Sequence, residues 1–330
     1  MKTISLLEPL REDLERVEQK LREPTHLEYP QLTAVLQSLL DSGGKRVRPA
    51  LALLAGSLYP TDGQKLISLA ASVEMLHTAT LVHDDLIDGA LVRRGNDTLN
   101  ARWSTGATVL MGDYLFARAA ALAAETDDVR VMAIFSDTLM TICSGELRQI
   151  FDRHNLPRVN DEAAWEKALA RYDQRIHAKT ASLFRAATEA AAVLGGAPRE
   201  QEVALGEYGR LLGTAFQIVD DVLDFEGDES VLGKPVGSDL REGIVTLPVL
   251  YFLRDQPQDG RVAAILESAE DDGLVREVVA AIRDSGAIDL ALERARSLVA
   301  QSQQALSLLP ESASRARMWS LADYTVSRNK

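Results

Sequence analysis

Residues 64–89 read QKLISLAASVEMLHTATLVHDDLIDG, an apolar segment that ends in a cluster of aspartates. A segment this long and this apolar predicts a helix that other helices surround on most sides. Residues 200–226 repeat the arrangement, with a second cluster of the same spacing at the end of the segment. Apolar residues recur at helical spacing almost throughout the chain, so we predict an all-α fold. We expect a single helical bundle domain over residues 1–330, because no linker divides the chain.

The apolar spacing also places the individual helices along the chain. Turn signals between them include Ser42-Gly43-Gly44, Thr61-Asp62-Gly63 and Gly233-Lys234-Pro235. The expected helices cover about residues 3–21, 30–41, 46–57, 64–89, 104–125, 128–152, 160–193, 200–226, 240–254, 260–268, 274–284, 287–308 and 314–327.

The composition limits the classes of partner and compartment. Of the 330 residues, 46% are hydrophobic and 26% are charged, which is typical of a globular protein with a sizeable core. The net charge of −13 argues against nucleic acid or anionic lipid as the main partner. The lone cysteine, Cys143, excludes an intrachain disulfide and fits a reducing compartment. No apolar run is expected to be long enough to cross a bilayer, so we expect a cytoplasmic protein with no membrane span.

Each acidic cluster places two aspartates one turn apart on a helix face, Asp84 with Asp88 and Asp220 with Asp224. Like charges at this spacing destabilise a helix, and the C-terminal end of a helix is unfavourable for anions. A bound cation would offset both effects, and carboxylate oxygens suit Mg²⁺. One such cluster is often only a solvated helix end, but two of identical spacing favour a site that holds a diphosphate through metal bridges.

Basic residues accompany the aspartates. Arg93-Arg94 follow the first cluster, and Lys234 follows the second. Guanidinium groups bind phosphate oxygens in a fork while carboxylates hold the metal, and a diphosphate site needs both. A separate basic segment, Gly43–Pro49, carries Lys45, Arg46 and Arg48 directly before an apolar helix, where an anion would be favoured. The alternative is a basic loop that only neutralises an acidic surface.

Several polar side chains lie on helices that are otherwise apolar. His77 precedes Asp84 by two turns on the same face, so we predict that it donates to a phosphate. His83 points elsewhere and is assigned a structural role. Lys179-Thr180 and Gln217 are polar residues within otherwise apolar helices, and Gln217 lies three residues before Asp220 on the face that points into the same cavity. Ordinary buried hydrogen bonding is the alternative for each.

With these residues the chain resembles the trans-isoprenyl diphosphate synthases, or polyprenyl synthetases. The resemblance implies an all-α bundle of the isoprenoid synthase type with a central Mg-diphosphate cavity, usually in a homodimer. It implies the condensation of isopentenyl diphosphate with an allylic diphosphate. The matching segments, in family order, are Gly43–Pro49, Glu74–Asp88, Arg93–Gly95, Gly112-Asp113, Lys179-Thr180, Phe216–Asp224 and Gly233–Pro248.

The resemblance also implies a role for each matching position. Three Mg²⁺ ions would bridge the allylic diphosphate, with Asp84 and Asp88 on one side and Asp220 and Asp224, the latter through water, on the other. Arg93, Lys179 and Lys234 would hold the allylic diphosphate, and Lys45, Arg48, His77 and Arg94 would hold isopentenyl diphosphate. Thr180 and Gln217 would flank the allylic cation, and the departing diphosphate would accept the proton.

One position departs from the family pattern. This chain has Ile244 where many members have lysine. A third cation for the diphosphate would then be missing, or Arg241 would supply it.

The length of the product can be argued from the first long helix. The growing chain should run toward its N-terminus, past Ala79 and Thr80, which are small. In short-chain members of the family an aromatic residue commonly closes the tunnel there, so we predict a product longer than C20, in the range C30 to C50. Candidates for the floor of the tunnel are Ser72, Leu76, Met132, Phe135 and Met140.

Other functions stay open at this point. A farnesyl or geranylgeranyl diphosphate synthase would use the same site with a shorter tunnel. A class I terpene cyclase shares the fold, but its second acidic motif differs from the Asp220–Asp224 pattern. A non-catalytic subunit should have lost an aspartate or the basic loop. The catalytic subunit of a heteromeric synthase is compatible with every motif of this chain.

Overall fold

The protein is described by a computed structural model over residues 7–23, 30–41, 44–93, 95–227, 236–268 and 271–327. The predicted all-α fold is confirmed, since within these ranges the strands form only a short hairpin, β1 (Val92–Arg93) with β2 (Asn96–Asp97). The helices up to residue 152 are α1 (Arg11–Leu21), α2 (Pro30–Asp41), α3 (Val47–Gly56), α4 (Gly63–Ile87), α5 (Leu99–Arg102), α6 (Thr105–Ala124) and α7 (Val129–Asp152). The later helices are α8 (Glu162–Ile176), α9 (Ser182–Leu194), α10 (Arg199–Glu226), α11 (Ser238–Arg241), α12 (Leu247–Asp255), α13 (Arg261–Glu267), α14 (Asp272–Asp284), α15 (Ala287–Ala305) and α16 (Ala313–Ser327).

The helix bounds agree with the sequence prediction except at a few places. The helix expected over 160–193 is interrupted by a π-helical turn, His177–Ala181, between α8 and α9. The helix expected over 240–254 is two helices, because Gly243 adopts φ +78° and Pro248 lies in the first turn of α12. The hairpin and α5 were not predicted, since segments of two and four residues carry no periodicity.

The chain divides into two compact units, and each is described by itself. Unit 1 comprises Met1–Thr138, Leu183–Gly209 and Ala305–Leu321. Unit 2 comprises Leu139–Ser182, Arg210–Gln304 and Ala322–Lys330. Helices α7 and α10 each contribute residues to both units. A single domain over 1–330 stays a prediction.

In unit 1, α4 is the central helix, and α1, α3 and α6 pack against it. Buried side chains occur on all of its faces, as the sequence of residues 64–89 predicted. Its N-terminus is capped by Asp62, whose carboxylate accepts hydrogen bonds from the backbone N–H groups of Gln64 and Lys65. Deeper in the helix, the hydroxyl of Ser72 donates to the carbonyl of Ala119 on α6 at 2.8 Å. These contacts hold the N-terminal half of α4 in place.

Two helices, α4 and α6, are long and apolar enough to span a membrane by length and composition alone. The expectation that no apolar segment reaches this length is therefore wrong. Core helices of soluble proteins pass the same test, and 72% of the most apolar window of α4 is buried inside the protein, compared with 39% for α6. Length and composition alone therefore assign a membrane span to neither helix.

In unit 2, α8 continues into the π turn and packs against α12, while α12 and α13 contact α14. An ion pair joins α15 to α8, because the guanidinium of Arg294 contacts both carboxylate oxygens of Asp173 at 2.7 Å. The carbonyl of Phe225 near the end of α10 accepts from Arg283 Nε on α14 at 2.7 Å. These contacts hold the C-terminal end of α10, which carries the second acidic cluster, against the rest of the unit.

Arg46 of the basic segment is held by several contacts within unit 1. It adopts a left-handed backbone conformation, φ +47°, which is unfavourable for a residue with a side chain. Its guanidinium pairs with Glu18 and donates to Glu74 Oε1 at 2.7 Å and to the carbonyl of Leu40 at 3.1 Å. Burial opposes the charge of Arg46, but the bonds to the two glutamates outweigh it and raise the pKa of the guanidinium. Arg46 therefore stabilises unit 1 rather than facing a ligand.

We expect Arg46→Gln to lower the free energy of unfolding by about 2–4 kcal/mol, because the buried carboxylate of Glu74 would lose its cation. Urea unfolding followed by circular dichroism measures the change. The matched control is Arg11→Gln, which removes an ion pair of 3.6 Å between exposed side chains and should change stability by less than about 1 kcal/mol. Similar losses in the two variants would contradict the structural role of Arg46.

Candidate active site

The first acidic cluster lies at the C-terminal end of α4. The helix ends at Ile87, and Asp88 is its C-terminal cap, with its backbone N–H donating to the carbonyl of Asp84 at 2.8 Å. Asp84 and Asp88 are half-buried one turn apart, as their spacing predicted. Because the helix dipole and the neighbouring charges both oppose anions here, a cation near these two carboxylates would be strongly favoured.

The middle aspartate of the cluster, Asp85, is turned into the protein and is 8% exposed. Burial raises the pKa of its carboxyl group, and the Arg93 guanidinium, whose Nε donates to Asp85 Oδ1 at 2.6 Å, opposes that rise. Arg93 lies on β1, so the hairpin holds an arginine against the first cluster. The sequence placed Arg93 near the cluster, but its pairing with Asp85 was not predicted.

The second cluster, on α10, also buries its middle aspartate, and it buries Asp224 as well. Asp220 is half-buried, whereas Asp221 is 3% exposed. Asp221 accepts hydrogen bonds from Gln217 Nε2 and from the Tyr172 hydroxyl, each at 2.8 Å. Burial raises the pKa of Asp221 to about 6, although both hydrogen bonds favour the carboxylate. In each cluster, therefore, the middle aspartate binds groups of the protein itself.

Asp224 has two structural partners. Its Oδ1 accepts from the hydroxyl of Ser238 at 2.6 Å, and its Oδ2 accepts from the backbone N–H of Asp239 at 3.1 Å. These bonds tie the end of α10 to the start of α11. With both oxygens engaged, Asp224 is better suited to hold a metal-bound water than to bind an ion directly.

Lys179 and Thr180 lie in the π turn, an irregularity that is frequent at functional sites. The hydroxyl of Thr180 donates to Gln217 Oε1 at 2.6 Å, so the structure brings these two predicted residues together. Lys179 Nζ lies 3.3 Å from Glu146 Oε1 on α7. Gly145 makes this approach possible, because a Cβ there would lie 2.3 Å from the Cβ of Ala178. Neither Glu146 nor Tyr172 was predicted, since both contacts depend on tertiary packing.

The basic segment divides into three side chains with different surroundings. Lys45 is exposed next to the N-terminus of α3, where the sequence predicted it. Arg48, in the first turn of α3, has its guanidinium carbon 5.1 Å from the centre of the Phe184 ring. Only Lys45 and Arg48 thus keep the predicted role toward an anion, because Arg46 is bound by glutamates.

The two histidines of α4 differ in surroundings. His77 is half-buried, and its carbonyl accepts from the hydroxyl of Thr80 at 2.7 Å. His83 lies against α6, with Nε2 at 3.2 Å from the carbonyl of Val109 and its ring 5.1 Å from the Phe116 ring. Gly112 leaves room for this ring, since a Cβ would lie 2.2 Å from His83 Nε2. The packing of His83 agrees with its predicted structural role.

Two predicted phosphate ligands, Arg94 and Lys234, lie outside the described residues. Near Ile244, the position that departs from the family pattern, Arg241 pairs with Asp272. The guanidinium of Arg241 is therefore already engaged by a carboxylate. Ile244 lines a pocket of unit 2 together with several arginines. The suggestion that Arg241 supplies the third cation thus finds no support in its contacts.

A small apolar cavity lies in unit 1 on the α4 side that leads to the aspartates. Ser72 and Leu76 line it, and Thr80 and Asp84 follow them on the same helix face at four-residue intervals. Phe135 of α7 also lines it, whereas Ala79 is fully buried. Three of the five predicted floor candidates therefore lie in the cavity wall, while Met132 and Met140 are absent from it.

The four predicted ligands, Asp84, Asp88, Asp220 and Asp224, offer the hard oxygen donors that Mg²⁺ prefers. In the described ranges, no three His, Cys, Asp or Glu side chains are grouped closely enough to enclose a metal ion. Mg²⁺ is usually bound by one or two carboxylates together with substrate phosphates and water. The pairs therefore fit ions that arrive with a diphosphate.

Comparison with known proteins agrees with this arrangement over nearly the whole chain. The chain is 37% identical to an octaprenyl diphosphate synthase of Haemophilus influenzae, covering 96% of this chain and 94% of the relative. It is 36% identical to heptaprenyl diphosphate synthase component 2 of Geobacillus stearothermophilus, covering 100% of both chains.

Solved structures give the same result. A decaprenyl diphosphate synthase from Rhodobacter capsulatus superposes with a TM-score of 0.89 at 37% identity, over 98% of both chains. A polyprenyl synthase from Caulobacter crescentus, solved with calcium and isoprenyl diphosphate, has a TM-score of 0.85 at 34% identity over 99% of this chain and 97% of that chain. The family model described as polyprenyl synthetase matches residues 29–282. The resemblance drawn from the motifs is thus confirmed, and the chain belongs to the polyprenyl synthetase family.

Proposed function

We propose that the protein is an all-trans polyprenyl diphosphate synthase, a prenyltransferase that joins isopentenyl diphosphate to an allylic diphosphate. The observation that carries this proposal is the repeated acidic cluster toward the C-terminal ends of two apolar helices, in which Asp84, Asp88 and Asp220 are half-buried and Asp224 is buried. Membership of the family and relatives named for octaprenyl and heptaprenyl products support the same reaction.

The chemistry assigned to the aspartates and cations is the release of diphosphate. Mg²⁺, for which we propose three ions, withdraws negative charge from the leaving group when it is bound. Asp84, Asp88 and Asp220 would bind the ions directly, and Asp224 would act through water. Arg93, Lys179 and Lys234 would neutralise the remaining charge of the allylic diphosphate as its C–O bond breaks.

Thr180 and Gln217 are assigned to the allylic cation that remains. The bonds from Thr180 to Gln217 and from Gln217 to Asp221 fix the orientation of the amide, so its dipole is set before the reaction. Lys45, Arg48, His77 and Arg94 would hold isopentenyl diphosphate, whose double bond attacks the cation and forms the new C–C bond. The proton then lost from the adduct is transferred to the released diphosphate. No side chain of the protein is needed as a base.

The first test incubates the purified protein and Mg²⁺ with isopentenyl diphosphate plus dimethylallyl, farnesyl or geranylgeranyl diphosphate. We expect a ladder of products that extends beyond C20 and disappears on chelation of the metal. Asp84→Ala and Asp220→Ala should each lower the rate about 10³-fold or more, because each loses several kcal/mol of transition-state stabilisation. The exposed Asp289→Ala on α15 is the matched control and should leave the rate unchanged.

Other outcomes of this assay separate the alternatives. Normal turnover in both aspartate variants would refute the metal assignment. Products that stop at C15 or C20 would keep the reaction class and overturn the predicted length. A cyclic hydrocarbon formed from the allylic diphosphate alone would indicate a class I terpene cyclase.

We assign control of the product length to the face of α4 that lies on the N-terminal side of Asp84. Small residues at positions 79 and 80 leave the way open to the apolar cavity, whose wall includes Ser72, Leu76 and Phe135. An apolar cavity at this depth suits a growing isoprenoid chain, because such a chain gains free energy from every methylene removed from water.

We expect Ala79→Phe to shorten the product, because an aromatic ring would close this path. Ala79 is fully buried, so the ring could also destabilise the fold, and the half-buried Thr80→Phe serves as a second variant. Products are sized by chromatography after removal of the diphosphate, with the exposed Ala101→Phe as control. An unchanged product length in folded Ala79→Phe and Thr80→Phe would contradict the tunnel assignment.

We propose a cytoplasmic homodimer as the active form. On the unit 2 portion of α7, Met140, Leu147, Ile150 and Phe151 form an exposed apolar stripe. Residues at this spacing share one helix face, and exposed apolar stripes of this kind mark interfaces. A second copy of the chain would cover the stripe. A heteromer is the second candidate, because one relative is named component 2 of its synthase.

We expect the double variant Leu147→Glu, Phe151→Glu to convert a dimer into a monomer, since the charges would have to be buried in the interface. Sedimentation equilibrium of the purified protein measures the mass. Leu290→Glu, an exposed leucine of α15 in the same unit, is the control and should stay dimeric. A wild-type monomer that elongates only after a second protein is added would instead establish a heteromer.

A further inference from the structure

Unit 2 contains an open pocket between the C-terminal end of α7, α8 and the segment before α12. Four arginines line it: Arg148, Arg153, Arg171 and Arg175. None of the described residues to which we assigned the metal ions or the two substrates lines this pocket. Tyr172, which donates to Asp221, and Ile244 also line it, so the pocket borders the second acidic cluster without containing any of its proposed ligands.

The charge in the pocket is opposite to that of the protein. The whole chain carries a net charge of −13, yet the described residues that line the pocket include four arginines and one carboxylate, Asp152. Like charges that converge on one cavity repel each other unless an anion lies between them. Arginines are also the side chains best suited to phosphate-type oxyanions, because their planar N–H groups match the oxygens in pairs.

Two of the guanidiniums are held in place by the surrounding protein. Arg148 Nη1 donates to Gln174 Oε1 at 2.5 Å, and Arg175 Nη2 donates to the carbonyl of Val245 at 2.6 Å. The guanidinium of Arg175 also lies 5.4 Å from the centre of the Tyr172 ring. A guanidinium has five N–H donors, so a single such bond orients the group and leaves donors for a ligand. The pocket thus presents oriented arginines, which lowers the entropic cost of binding.

The other residues that line the pocket indicate which class of anion it would bind. Ile244, Val245 and Leu250 give it an apolar side, and the paired aspartates of a metal site are missing from its described lining. A ligand held here would therefore be bound by guanidiniums directly. A net excess of three positive charges matches a diphosphate group better than a singly charged anion.

We infer that this arginine pocket is a third diphosphate site, in addition to the two proposed for the substrates, and that it binds the diphosphate group without Mg²⁺. The choice of diphosphate rests on the proposed function, in which this group is both the headgroup of the substrates and the released product. Inorganic diphosphate and the headgroup of an isoprenyl diphosphate share this chemistry, and the apolar side of the pocket would add contacts only for the isoprenyl form.

To test this inference, the full chain is titrated with inorganic diphosphate in the presence of EDTA, and the heat of binding is measured by calorimetry. We expect Arg148→Gln, Arg171→Gln to weaken the binding that persists in EDTA about tenfold or more, since each lost charge-assisted hydrogen bond contributes about tenfold in affinity. Both arginines are exposed, so the fold should be retained. Arg158→Gln is the matched control, because it removes an exposed arginine from the adjacent segment that does not line the pocket.

The proposed isopentenyl diphosphate site could also bind diphosphate without metal, so Lys45→Gln is titrated in parallel. If Lys45→Gln removes all binding in EDTA, or the double variant binds like Arg158→Gln, the inference is overturned. Hydrogen exchange of the wild-type protein provides a measurement that needs no variant. Added diphosphate should protect the amides of residues 145–157 and 243–250 in EDTA, and unchanged exchange there would count against the site.

A parallel titration with farnesyl diphosphate separates the two sources. Tighter binding that depends on the arginines would identify the isoprenyl form as the ligand, and equal binding would identify the diphosphate group alone. The outcome is independent of the elongation assay. If binding depends on the arginines but no product is elongated, the inferred pocket is supported and the proposed function is refuted. If products are elongated but no such binding occurs, the proposed function is supported and the inferred pocket is refuted.

Discussion

The constraint on which the rest of the structure depends is the placing of paired aspartates at the C-terminal ends of two apolar helices. Partial charges of the helix end, like charges one turn apart and partial burial all oppose the ionised carboxylates there. The protein offsets this for the middle aspartate of each cluster with its own donors, Arg93 for Asp85 and Tyr172 with Gln217 for Asp221. Asp84 and Asp220 are half-buried, and a bound cation would stabilise their carboxylates. The same arrangement of charges therefore explains both the local packing and the proposed chemistry.

Several irregular elements support these aspartates. The hairpin carries Arg93 to Asp85, and the start of α11 supplies the donors to Asp224. The π turn aligns Thr180 with Gln217, which in turn bonds to Asp221. A regular helix over residues 160–193 would advance by 3.6 residues per turn throughout, and the π turn shifts this register where Lys179 and Thr180 lie. The irregular elements of this fold therefore lie where side chains have to be oriented toward the acidic clusters.

The sequence was sufficient to predict the helices and the placing of the acidic clusters, because both depend on periodicity and on long apolar segments. It was not sufficient for the partners of those residues. Arg46 was one of three similar cations in the sequence, and only the packing of α1 and α4 separates it from Lys45 and Arg48. Tyr172 lies far from Asp221 in the chain, so no local pattern could have paired them. The hairpin was missed because two-residue strands are too short for any periodic signal.

Ile244 shows how a substitution is interpreted differently once its neighbours are known. In the sequence, Ile244 indicated that a cation of the family pattern was missing, and Arg241 was the candidate to replace it. In the structure Arg241 is engaged by Asp272, whereas the pocket wall that contains Ile244 also contains Arg148, Arg153, Arg171 and Arg175. The positive charge around position 244 is therefore provided by α7 and α8 rather than by its own segment. An arginine binds oxyanions through a planar fork, and a lysine binds them as a compact point charge. A site built from several arginines should consequently select for the shape of a diphosphate more strongly than one lysine could.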